Sequence, residues 1–221
     1  MKRFPFIVLL FFSELNLLSS NPEISKIKNI PRDAGQLIVV MAKKGIQANT
    51  YAYEWSLDQK KWVRISGPIP STVGYRGFAA QYKKKEGDGK TPTGIFAIGT
   101  AFGYPKKVET KLSYRIINDD DYWVDDPESP LYNQWVKNKP NARSFEKMLR
   151  TDVLYSAGFV VEYNTQPVVK GGGSAIFFHV WRNSKKPTSG CIAMSRENIL
   201  KVLEWLDRDK NPFVILNPAG I

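Results

Sequence analysis

The sequence has 221 residues but only one cysteine and one histidine. A single thiol cannot form an internal disulfide, so a packed core must hold the fold; in an exported chain such a leftover thiol is a reactive candidate. After the first twenty residues no apolar run approaches the length of a membrane helix. Internal repeats and low-complexity tracts are also missing. Gly87-Asp-Gly89 lacks the G-K-[ST] spacing of a phosphate-binding loop, and the carboxylates of residues 119–126 lack the calcium-loop pattern, so neither a nucleotide nor a metal is assigned. Acidic residues are in deficit, 21 against 32 basic ones, for a net charge of +11. The lysines lie in short scattered clusters with no nucleic-acid-binding motif around them. They read as solvated loops and strand ends, or as a field drawing an anionic polymer, and no nucleic-acid partner is assigned.

What is present is a leader, a linker and one domain. Residues 1–20 pair Lys2 and Arg3 with an apolar stretch from Phe4 to Phe12 and end in small residues, the pattern of a secretory signal. Glu14 and Asn16 break that stretch, so no stable membrane span is expected, and no cysteine near Ser20 provides a lipid anchor. Residues 21–35 are polar, carry Pro22 and Pro31, and read as a linker. Residues 36–218 read as one mainly β domain with a few helices. Strands are expected over 36–41, 50–56, 62–65, 95–98, 158–163 and 213–216, with an apolar run at 175–178. Residues 67–77 read as a loop because of their prolines and glycines, and residues 104–140 as the least regular part. A short helix is expected over 141–151, where Phe145, Met148 and Leu149 share a helical face, and a second one after Ser195, which is suited to cap it.

The candidate chemistry lies between residues 174 and 194. The apolar run delivers His179, a polar loop follows, and Ser189-Gly190 presents Cys191 twelve residues later. A free thiol is mostly protonated at neutral pH, and a nearby imidazole can take the proton or stabilise the thiolate. A glycine beside the nucleophile permits a tight turn and lets a carbonyl approach backbone amides able to hold an oxyanion. A strand, a reversal and a returning segment can bring the two side chains together. The competing reading is a buried apolar cysteine and a core histidine that share no chemistry.

T-S-G-C-I-A at 188–193, preceded by a strand-borne histidine, resembles the L,D-transpeptidase catalytic domain family (YkuD type). G-D-G-K-T-P-T-G-I-F at 87–96 independently resembles the K-T-P-x-G-x-F turn and strand of the same family. The departures are Thr188 for the motif serine, Ser189 where histidine is common, Ala193 where arginine or asparagine is common, and Val180 where glycine is common. They mark a divergent branch.

The resemblance implies a β-sandwich or barrel fold and, without a cofactor, acyl transfer on peptidoglycan stem peptides in the periplasm or cell wall. In that scheme Cys191 is the nucleophile, His179 the base, and Gly190, Ser189 and Thr188 supply the oxyanion hole and the contacts that support it. Trp123, Asp125, Tyr132, Asn133 and Arg182 are weaker candidates for substrate binding. A carboxypeptidase using the same pair, or a non-catalytic wall-binding module, stays open. The oligomeric state is not legible.

Overall fold

The computed structural model describes residue 24 and residues 27–221; the signal-like segment 1–20 lies outside them, as does part of the linker. Three strands open the domain as an antiparallel meander: β1 (Gln36–Ala42), β2 (Gln47–Ser56) and β3 (Lys61–Thr72). β4 (Gly94–Gly103) follows, with the short β5 (Tyr114–Ile116) lying parallel to its second half. After an excursion the chain returns through β9 (Ala157–Val161), β10 (Phe177–Val180) and β11 (Ile192–Met194), and ends in β12 (Pro212–Leu216). The order is β12-β1-β2-β3-β11-β10-β9-β4, and β4 pairs back onto β12. The main sheet is thereby closed into a barrel, mainly β as the pattern of strands and turns in the sequence implied.

The strands next to the site are buried on both faces, which explains their near-continuous apolar runs. On one face Phe159, Val161, Phe178, Val180, Ile192 and Met194 join the central core with Ile38, Val40, Val214 and Leu216. Helix α1 (Arg196–Trp205) covers this core with Ile199, Val202 and Leu203. It starts where Ser195 accepts a hydrogen bond from the Asn198 amide at 3.3 Å, satisfying an otherwise orphaned N–H. On the opposite face Val160 and Phe177 pack with Cys191 against Phe102, Trp123, Met148 and Tyr155.

Those partners come largely from the excursion over residues 104–156. It contains a second sheet of β6 (Asp121–Val124), β7 (Trp135–Lys137) and β8 (Phe145–Lys147), ordered β7-β6-β8. Here the structure departs from the expected helix over 141–151. Pairing of β8 with β6 and the edge-on contact of Phe145 with Tyr122, centroids 5.3 Å apart, outweigh the helical spacing. The expected loop at 67–77 also differs, because β3 continues through Pro68 and Pro70 to Thr72. Prolines are tolerated there because β3 meets β11 only at Thr72, leaving most of its outer edge unpaired.

Candidate active site

His179 stands on β10 and Cys191 immediately precedes β11. The two strands are parallel, with His179 level with Ala193 and Phe178 level with Ile192. This corrects the expected reversal and return: the loop between them crosses back so that the second strand starts beside the first. The register puts Cys191 beside Phe177, whose N–H donates to Sγ at 3.4 Å. Since 177 and 179 share a face of β10, thiol and imidazole sit diagonally on one face of adjacent strands. Both line one cavity of about 730 Å³.

The cysteine loop is held by its neighbours. Thr188 pairs with the backbone after β3, its N–H donating to the Val73 carbonyl at 3.0 Å while its carbonyl accepts from the Tyr75 N–H at 2.9 Å. The Thr188 hydroxyl donates to the Cys191 carbonyl at 2.6 Å and accepts from the Gly190 N–H at 3.1 Å. Thr91, from the upstream motif, accepts from the Gly74 N–H at 3.0 Å and reaches the same Cys191 carbonyl at 3.4 Å. The two sequence motifs thus meet on one carbonyl. Glycine is required at 190, where a Cβ would lie 3.0 Å from the Lys90 carbonyl oxygen. At Gly74 it would lie 2.4 Å from the Gly89 carbonyl oxygen.

The thiol donates to the Ala175 carbonyl at 3.2 Å. Ala175 has φ of +52°, an unfavourable region for a residue with a Cβ. It is held there by Asn133, whose side-chain oxygen accepts the Ala175 N–H at 3.0 Å. The His179 Nδ1 lies 2.8 Å from the Val180 carbonyl, an obligate acceptor, so Nδ1 carries the proton and Nε2 is the free base. Burial pushes the Cys191 thiol up to about 12, with the Glu146 charge adding to the effect. Burial likewise draws His179 down to about 4. At neutral pH the pair therefore rests as thiol and neutral imidazole.

A family model described as the L,D-transpeptidase catalytic domain (YkuD) matches residues 40–215. The chain belongs to this family. No curated protein and no solved structure matches it. In this L,D-transpeptidase domain Thr188, Ser189, Gly190, Asp125 and Arg182 line the same cavity as Cys191 and His179. Trp123, Tyr132 and Asn133 do not line it. They are buried, with their polar atoms spent on internal bonds. The Trp123 indole donates to the Asn133 oxygen at 3.0 Å, and the Asn133 amide donates to the carbonyls of Tyr163 and Asn164 at 2.9 and 2.8 Å. The Tyr132 hydroxyl donates to Glu86 at 2.5 Å.

The carboxylates of residues 119–126 mostly serve the small sheet. Asp121, fully buried, pairs with Arg115 at 2.6 Å and Lys137 at 3.1 Å, while Asp126 pairs with Arg143 at 2.9 Å. Asp125 alone among them faces the cavity, where burial and the Glu86 charge raise its pKa. Sequence reasoning missed Glu86, Glu146, Arg150 and Tyr155, all of which line the cavity. The one local signal was the upstream motif that carries Thr91 to the cysteine loop. Among the described residues, no helix is long and apolar enough to cross a membrane.

Proposed function

We propose that the protein is an exported L,D-transpeptidase that transfers acyl groups between peptidoglycan stem peptides through a thioester on Cys191. The carrying observation is the diagonal placement of Cys191 and His179 on one face of parallel strands, opening into one cavity. Family membership supports the substrate class. As a stem-peptide carbonyl carbon meets Sγ, the thiol proton moves to His179 Nε2 and the new S–C bond forms. The imidazolium keeps its Nδ1–H on the Val180 carbonyl. Backbone amides of the cysteine loop receive the oxyanion; the Gly190 amide must first leave the Thr188 hydroxyl, so the Cys191 amide is the readier donor. Collapse breaks the C–N bond, and His179 returns the proton to the departing amine. An acceptor amine then attacks the thioester and regenerates the thiol. The leader over residues 1–20 would deliver the domain to the wall.

Incubation with purified muropeptides, read by mass spectrometry, tests this. Cross-linked dimers and a Cys191 acyl adduct are expected, and Cys191→Ser should remove both, lowering product formation by on the order of 10⁴-fold or more while the protein stays folded. Tripeptides without dimers would assign the same pair to a carboxypeptidase. Binding with no adduct and no product would leave a wall-binding module.

A further inference from the structure

The Val180 carbonyl holds one atom of the imidazole but leaves the ring free to swing about that bond. A second restraint comes from the 104–156 excursion. Tyr155, 5 % exposed, sets its ring 5.4 Å from the imidazole with a 74° interplanar angle. Its other ring contacts are edge-on with Phe102 and Phe177, at 5.8 and 5.6 Å. The hydroxyl donates to Glu146 Oε2 at 2.5 Å. The Arg150 guanidinium lies 5.2 Å from the centre of the same ring and is clamped by Asp152 through bonds of 2.8 and 3.0 Å.

Packing alone does not account for this. A phenylalanine would fill the apolar contacts equally well, and seating a carboxylate in the half-buried wall of the cavity is unfavourable without a cationic partner. Among the described residues Glu146 has no ion pair within 4.0 Å; its hydrogen bond is to the Tyr155 hydroxyl. The arrangement fixes the tyrosine against rotation and withdrawal, and the tyrosine contacts the proposed base. Of the nearby charges, that of Arg150 opposes an imidazolium at His179 and that of Asp152 favours it, so what the tyrosine supplies is position. The other ionisable groups around His179 are Arg150 and Asp152, Arg182 beyond β10, and Cys191 itself.

We propose that Tyr155, braced by Glu146 and Arg150, is a positioning residue that sets the plane of the His179 ring during thiol deprotonation. This rests on the reading of His179 as the base. The chain's only histidine gives an unambiguous imidazole signal in nitrogen-15 NMR, so placement can be read without turnover. The wild type should show one tautomer, protonated at Nδ1. Tyr155→Leu should show mixed tautomers, and its thioester formation with a muropeptide should slow by roughly 10–100-fold at unchanged KM, the scale of a misplaced catalytic group. Tyr155→Phe and Glu146→Gln keep the packing and should each slow acylation several-fold near neutral pH. The Glu146→Gln deficit should shrink in acid, where the wild-type carboxyl is protonated as well.

A wild-type tautomer pattern and rate in folded Tyr155→Leu would overturn the proposal. If that variant does not fold, wild-type rates in both Tyr155→Phe and Glu146→Gln would overturn it. A wild type that forms no thioester while Tyr155→Leu still mixes tautomers would sink the catalytic reading and leave the positioning role standing.

Discussion

The barrel wall of β9, β10 and β11 and the excursion over residues 104–156 meet at one cavity but are held together differently. The wall is made of side chains such as Phe159 and Phe178, stacked at 4.6 Å with both fully buried. Its stability comes from apolar area withdrawn from water on two faces. The excursion has short strands and relies on specific polar knots. Asp121 collects the Arg115 guanidinium, the Trp135 indole N–H at 2.9 Å and the Asn118 N–H at 2.8 Å, and the Arg115 guanidinium also lies 4.3 Å over Trp135. The difference assigns roles: the wall supplies thiol and imidazole on a rigid register, and the excursion supplies the charged and aromatic lining.

Breaking each region separately should sharpen that contrast. Phe178→Ala removes a fully buried ring from the wall and should cost about 3–5 kcal/mol in chemical denaturation. Activity and hydrogen-exchange protection of β9–β11 should fall together. A loss confined to the excursion would contradict this picture.

Acid should act on His179 in the wall before it acts on Asp152 in the excursion. Burial lowers His179 from 6.5 to about 4, so the folded protein binds that proton less readily than the unfolded chain. This contribution is fully present above the unfolded value and is lost as pH falls toward the folded one, by roughly 3 kcal/mol at about 1.4 kcal/mol per unit. His179→Gln should flatten that part of the stability–pH curve, and an unchanged slope would refute the assignment. Asp152, in the excursion, responds lower down. The Arg150 hydrogen bonds hold Asp152 from 3.8 down to about 2, so its contribution persists above the higher value and disappears as pH falls through the lower.

Asp121→Asn keeps the shape and removes the charge at the knot. A cost of about 2 kcal/mol is expected, below the range for a sealed pair because Arg115 and Lys137 are partly solvated. Exchange protection should drop in β6–β8 and hold in β9–β11, and a uniform drop would mean that the two regions unfold as one. The smallest effect is expected from Ser195→Ala, about 1 kcal/mol for a lost helix cap, seen in the melting of the barrel without change in the excursion.

The wall was legible for the same reason that it is stable. The expected strand over 158–163 and the apolar run at 175–178 mark strands buried on both faces, and Ser195 with Ile199, Val202, Leu203 and Leu206 marked α1. The excursion was not. Phe145, Met148 and Leu149 carry helical spacing, yet Phe145 lies in β8 and Met148, just past its end, donates its N–H to the Asp121 carbonyl at 2.9 Å. Trp123 and Asn133 look like ligand-binding side chains and are instead bonded to each other. Such pairings join residues distant in sequence, where no local period can announce them.

The sequence alone determined the chemical inventory: one thiol, one imidazole, the glycine that permits a close turn, and the two motifs that belong together. These are matters of residue type and spacing, which the chain carries however it folds. Tertiary structure decided that the two strands run parallel and that Val180 orients the imidazole. It also turned the Ala175 carbonyl toward the thiol and backed the histidine with Tyr155 and Glu146. Each of these depends on segments closing over long loops, with burial and hydrogen bonding settled only when all of them are in place.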